Sequence, residues 1–160
     1  MALSEAMLKK TVSADGARPI TVCFVCTGNT CRSPMAAAVL NHLGGGAYKA
    51  LSAGVSAVTG DVISKNSVLA LKNAGIPSTP ENDYEHHRAV QVSEELLERC
   101  DRVVAISKSH MMALIYAYPH MAERITVMPK DVPDPFMYGE AVYAACLESI
   151  TEGIKETFAV

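Results

Sequence analysis

Apolar and polar positions along this chain fall into two alternating kinds of stretch. Ile20-Thr21-Val22-Cys23-Phe24-Val25 is a continuous β-branched and apolar run, the pattern of a strand buried on both faces of a parallel sheet. A polar loop comes next, and from Ser33-Pro34 the residues Met35 to Leu40 favour helix. Pro34 in the first turn and Gly44-Gly45-Gly46 beyond the end supply start and stop signals. The alternation repeats with a short strand near Ala50 to Ser52 and a helix from about Asp61 to Ala74, stopped by Gly75 and Pro77. Val62, Ile63, Leu69 and Ile76 roughly bracket its packed face. A third element near Glu85 to Val92 leads into a helix over Ser93 to Glu98. Asp101 to Ile106 reads as another buried strand, and Ser107 to Tyr116 as another helix. Beyond the proline-rich stretch Pro129 to Pro135, an amphipathic helix is predicted from about Glu140 to Phe158. Val142, Ala145, Cys146, Ser149, Ile150 and Ile154 stand near helical spacing there.

Strands that alternate with helices imply right-handed crossovers, hence a three-layer α/β domain with a four-stranded parallel sheet. Residues 1 to 18 mix polar and small types without period and are expected to form a mobile lead-in, with a helical turn or two over Leu3 to Lys10. The domain is expected to span residues 19 to 160. There is no repeat, heptad run or low-complexity tract. In such a sheet ligands gather at the carboxyl ends of the strands, which directs attention to the loop after Val25.

Composition narrows the function. At 160 residues the chain fits one domain, with 49% hydrophobic and 19% charged residues. No apolar run reaches the ~18 residues of a bilayer span, and the first twenty positions lack signal-peptide order, so a cytoplasmic protein without a membrane partner is expected. The net charge of −3 and the isolated Lys9-Lys10 pair argue against nucleic acid as a partner. Five cysteines, Cys23, Cys26, Cys31, Cys100 and Cys146, are an odd number without a secretory signal, so reduced thiols are expected.

Cys26-Thr27-Gly28-Asn29-Thr30-Cys31-Arg32-Ser33 joins the first strand to the first helix, and its residues suit a tetrahedral oxyanion. Gly28 and Asn29 best tolerate positive φ, so successive N–H groups can curl around one centre. The helix beginning beside Ser33 adds unpaired N–H groups and the positive end of its dipole. Arg32 offers a planar, permanently charged fork. Cys26 at the mouth of this cradle shares the field that binds phosphate, which favours its thiolate and in-line attack on phosphorus. Ser33 is placed to donate to that sulfur.

Cys26-x5-Arg32-Ser33-Pro34 after a strand, with Gly28, Asn29 and Cys31 in place, closely resembles the low-molecular-weight protein tyrosine phosphatase family, which includes bacterial protein-arginine phosphatases. Ser52-Ala53-Gly54, His87-Arg88-Ala89, the Asp101 to Ile106 strand and Asp134-Pro135-Phe136 fall in the family's order, so the likeness covers roughly residues 20 to 158. The resemblance implies sheet order 2-1-3-4, Cys26 as nucleophile, Arg32 as phosphate clamp, and Asp134 as general acid and then base. Thr27, Gly28, Asn29, Thr30, Cys31, Arg32 and Ser33 would bind the phosphate, and His87 would buttress the loop through Asn29 or Ser33. A basic leaving group and an attacking water both need the proton transfer given to Asp134. Asp131, three residues away, is the competitor for that role, and Pro135 and Phe136 favour Asp134.

Substrate choice rests on smaller signs. Tyrosine-directed members resemble one another in a bulky aliphatic where Thr30 stands, whereas arginine-directed members carry threonine. Phe136 also resembles the arginine-directed pattern. Tyr138 departs from it and offers an aromatic wall for phosphotyrosine. Protein phosphoarginine is the favoured substrate, with phosphotyrosine as the alternative; a thiol-linked arsenate reductase, a phosphocysteine carrier domain and a non-catalytic phosphoprotein-binding module fit less well. Cys100 stands alone where the reductase needs two mobile cysteines, and a carrier has no use for Asp134.

The remaining residues have plainer readings. Cys31 is either a redox guard that pairs with Cys26 or a small side chain packed under the loop. Cys23, Cys100 and Cys146 are expected in the core, and His110 and His120 on helix surfaces. Met111-Met112 read as core filling. No metal or other cofactor is implied, since the cysteines form no paired knuckles. A monomer is expected.

Overall fold

A computed structural model describes residues 18–160. The expected lead-in therefore lies, apart from Arg18, outside the described residues. Arg18 itself donates through both terminal nitrogens to the Asp101 carboxylate, at 3.2 and 3.1 Å. Four strands, β1 (Ile20–Cys26), β2 (Tyr48–Gly54), β3 (Arg102–Ala105) and β4 (Ile125–Val127), form an all-parallel sheet in the order β2-β1-β3-β4. Five α-helices surround it: α1 (Arg32–Leu43), α2 (Lys65–Asn73), α3 (Glu94–Glu98), α4 (Lys108–Ala117) and α5 (Glu140–Phe158). No helix among the described residues is long and apolar enough to cross a membrane.

The period-2 geometry of β1 divides the protein into two cores. Val22, Phe24 and Cys26 face one side with α1, α2 and α5. Cys23 and Val25 face the other with Leu96 and Leu97 of α3 and Leu114 of α4. Because β1 is central and covered on both faces, its run needs no polar alternation. Helix α1 is buried from Arg32 through Leu40, which explains why its sequence is small and apolar around the whole circumference rather than striped.

Several boundaries differ from the sequence pattern. The element near Glu85 to Val92 is not a strand: a single 3-10 turn, Tyr84–His86, leads into extended chain with only isolated bridges, Val62 to Arg88 and Gly54 to Gln91. The fourth strand is instead Ile125–Val127, three residues long and too short to announce itself by period. Helix α2 begins four residues later than the apolar spacing suggests, because Ser64 caps it by accepting from the Ser67 amide at 3.1 Å. Val62 is left outside, 59% exposed. On α5 the buried stripe runs through Tyr143, Cys146, Leu147, Ile150 and Ile154, and Val142 points outward. Met112 is exposed rather than in the core, and His110 is buried rather than on the surface.

Gly54 ends β2 where that strand crosses the loop after β1. A Cβ built there would stand 2.3 Å from the Thr27 carbonyl oxygen and 3.0 Å from Ala57 Cβ. The backbone of Gly54 is itself tied, donating to Val90 O and accepting from Val92 N, both at 2.9 Å. Neither chain can retreat cheaply. Gly54→Ala is therefore expected to lower stability by ~1–3 kcal/mol and to weaken vanadate binding by displacing Thr27, checked by thermal unfolding and vanadate titration.

Candidate active site

The loop from Thr27 to Cys31 turns the chain from the carboxyl end of β1 into α1. Asn29 supplies the tight step, with φ at 60°, a region that asparagine tolerates better than most residues. Gly28 does not share it: its φ is ordinary, and a Cβ there would meet nothing within 4 Å. Cys31 occupies the N-cap of α1 without a side-chain cap, and no acidic residue lies in the first turn. The amides of Gly28 through Cys31 donate to no other described residue. Unsatisfied donors at a helix N-terminus form an anion site.

Asn29 is fully buried and bonded on three sides. Its carbonyl accepts from His87 Nε2 at 2.8 Å, its Oδ1 accepts from the Val90 amide at 2.9 Å, and its Nδ2 donates to Ser33 Oγ at 2.7 Å. That last bond occupies a lone pair of Ser33 and steers its single hydroxyl proton. Cys26 Sγ lies 2.8 Å away, and the competing acceptor, Ala53 O, lies at 3.4 Å. The hydroxyl is thus aimed at the sulfur. Burial lowers the pKa of His87, so the neutral ring with its proton on Nε2 is the form that holds the loop.

Arg32 is buried and connects the loop to the segment bearing Asp134. It donates through NH1 to Val132 O at 3.0 Å and through NH2 to Thr27 Oγ1 at 3.4 Å, and NH2 lies 3.7 Å from Asp134 Oδ2. Asp134 Oδ1 accepts from the Phe136 amide at 3.0 Å, a local turn that leaves Oδ2 for the site. Asp131 is spent elsewhere, accepting from the Lys108 amide at 3.0 Å. Ser107 exchanges hydrogen bonds with both backbone groups of Val132.

His110, missed as a site residue, completes this frame. Its Nδ1 accepts from the Ser107 amide at 3.2 Å, which fixes the proton on Nε2, and Nε2 donates to Thr27 Oγ1 at 2.9 Å. Burial, reinforced by the neighbouring Arg32 charge, lowers its pKa to about 4. A neutral imidazole beside a buried guanidinium avoids two like charges in one site. Ser107 and His110 stand at the spacing of a capping box, which marks a helix start in the sequence. Nothing local links them to Thr27, 83 residues away from His110.

A cavity of about 270 Å³ opens here, lined by Cys26 to Arg32 together with Ser56, Val58, Asp61, Asp134 and Phe136. Thr30 and Phe136 are therefore brought to it. Tyr138 is not among its lining and is 63% exposed. Cys31 lines the cavity but turns its sulfur to Tyr143 OH, at 3.3 Å. The Tyr143 hydroxyl, pushed up to about 12 by burial and that contact, stays protonated. Cys146 is likewise held as a thiol, pushed up to about 12 by burial. Cys100 lies in the second core against Cys23 and donates to Leu96 O at 3.2 Å. No cluster of three or more metal-ligating side chains occurs among the described residues.

Known proteins share both this sequence and this architecture. The family model for low molecular weight phosphotyrosine protein phosphatase matches residues 21–159. A protein-arginine-phosphatase of Geobacillus stearothermophilus is 31% identical over 148 residues, which cover 86% of this chain and 95% of that protein. The solved arginine phosphatase from Geobacillus stearothermophilus gives a TM-score of 0.79 at 30% identity, covering 88% of this chain and 92% of the other. A low molecular weight protein tyrosine phosphatase from T. tengcongensis gives 0.77 at 37% identity, covering 86% and 96%. With a buried thiol, a buried arginine and a helix N-terminus gathered at one strand end, the chain belongs to the low molecular weight phosphotyrosine protein phosphatase family, enzymes that act on phosphorylated proteins through a cysteine.

Proposed function

We propose that this phosphatase hydrolyses phosphoarginine in proteins, with Cys26 as nucleophile, Arg32 and the loop amides as phosphate clamp, and Asp134 as acid and then base. Thr30 carries the choice of substrate. Its hydroxyl-bearing side chain lines the cavity beside the nucleophile, where a bulky aliphatic residue would instead favour a flat apolar ring. The Geobacillus stearothermophilus relative named a protein-arginine-phosphatase supports the same reading.

In the first step the Cys26 sulfur attacks phosphorus, the S–P bond forms and the P–N bond breaks. The departing nitrogen keeps the bonding pair and takes the proton from Asp134 Oδ2, so arginine leaves as an ordinary guanidinium. Arg32 and the amides of residues 28–31 meet the three equatorial oxygens, where charge is spread as the bonds exchange. In the second step Asp134, now a carboxylate, takes a proton from water that attacks phosphocysteine. Cys26 then departs as a sulfur anion, supported by the Ser33 hydroxyl at 2.8 Å. His87 supports the loop through Asn29.

Phosphotyrosine is the second reading. Phe136, on the cavity wall and 58% exposed, can stack on a phenyl ring, and the T. tengcongensis relative is named a tyrosine phosphatase. We further propose that the enzyme works in the cytoplasm as a monomer. All five cysteines are unpaired thiols, which suits a reducing compartment.

Cys26→Ser is expected to abolish turnover while retaining vanadate binding. Asp134→Asn should slow a phosphoarginine peptide far more than an activated aryl phosphate, whose leaving group needs no proton; equal losses would remove the acid role. Thr30→Ile should shift the ratio of kcat/KM on matched peptides toward phosphotyrosine. An unmoved ratio, or a wild-type enzyme that turns over only phosphotyrosine, would overturn the substrate assignment.

His110 gives a pH signature. Its folded pKa of about 4 lies below the ~6.5 of a free imidazole, so between these values the unfolded chain binds the extra proton. Stability is therefore expected to fall as pH drops from about 6.5 toward 4. His110→Gln should make that decline shallower in urea unfolding measured across the same window.

A further inference from the structure

Asp61 is a second carboxylate in the wall of the cavity, and the two reaction steps give it no task. Its backbone is held on both sides: the amide donates to Val58 O at 3.0 Å, and the carbonyl accepts from the Ala89 amide at 2.7 Å. The side chain has no partner, neither hydrogen bond nor ion pair, among the described residues. It caps no helix and closes no turn. A fixed backbone therefore presents an unpaired anion to the same space as Arg32 and the loop amides.

Such a charge is unfavourable for a substrate that brings only a phosphate dianion, since like charges repel across a small cavity. It becomes favourable when the substrate brings a cation as well. A phosphoarginine side chain does so, because the guanidinium beside the phosphoryl group remains positively charged, whereas the ring of phosphotyrosine is neutral. A planar guanidinium also matches a carboxylate through two parallel hydrogen bonds. Val58 and Phe136, both exposed and both lining the same cavity, offer apolar surface to the methylene stem.

We propose that Asp61 is a specificity residue that binds the guanidinium of the phosphoarginine side chain while Arg32 and the loop amides bind its phosphate. The assignment rests on the phosphoarginine reading and deepens it. Asp61 acts on binding rather than on bond breaking, since Asp134 already supplies the proton.

The test is steady-state kinetics of wild type and Asp61→Asn on matched phosphoarginine and phosphotyrosine peptides, with thermal unfolding to confirm that the variant is folded. The variant is expected to lose about tenfold or more in kcat/KM on phosphoarginine, mainly through KM. It should gain on phosphotyrosine, as a negative charge leaves the wall. Asp61→Glu should recover part of the phosphoarginine loss. If wild type turns over phosphoarginine and Asp61→Asn keeps the same ratio between the two peptides, the Asp61 assignment is overturned and the substrate reading stands. If wild type shows no phosphoarginine turnover, the substrate reading falls, and the cation that Asp61 would hold falls with it.

Discussion

Everything in the site depends on how Asn29 is held. A residue with positive φ, no exposure and three hydrogen bonds is fixed from every direction, by His87 at its carbonyl, by the Val90 amide at its Oδ1 and by Ser33 at its Nδ2. Each bond serves a different part of the chemistry. The first two anchor the loop to the segment beyond the 3-10 turn. The third turns the Ser33 proton toward the Cys26 sulfur. The curl of the loop and the direction of the Ser33 hydroxyl are both set by one buried residue.

The segment bearing Asp134 is held by a separate frame, joined to the first through Arg32. Ser107 and Lys108, at the start of α4, fix the backbone of Val132 and the carboxylate of Asp131. Arg32 reaches across to the Val132 carbonyl while staying against Thr27. The guanidinium thus ties the Thr27 loop to the segment from Val132 to Asp134 as well as bringing a positive charge. Keeping His110 neutral is part of this arrangement, for a second cation at Thr27 would compete for the same acceptors and repel the first.

The cavity lining carries charge of both signs. Cys26 and Arg32 line it together with Asp61, Asp134, Phe136 and Val58. Asp134 accepts from the Phe136 amide and lies beside Arg32, whereas the Asp61 side chain has no partner among the described residues. The two carboxylates are therefore not redundant, although composition alone treats them alike.

Elements whose residues speak for themselves were legible in the sequence. The β1 run is apolar throughout because that strand is covered on both faces, and the cysteine-to-arginine loop carries its chemistry within eight consecutive residues. Helix α5 is long enough for period to show. Short or irregular pieces were not legible: β4 has three residues, Val62 is apolar yet exposed, and the chain from Arg88 to Gln91 pairs only at single bridges. What the sequence determined by itself was the parallel α/β architecture and the place of the Cys26-to-Arg32 loop between the first strand and the first helix, because burial and backbone preference act locally. Tertiary structure alone decided that His110 meets Thr27, that Val132 meets Arg32 and that Asp61 faces the cavity. Those contacts join segments tens of residues apart, and only the packing of strands and helices brings them within hydrogen-bonding or electrostatic range.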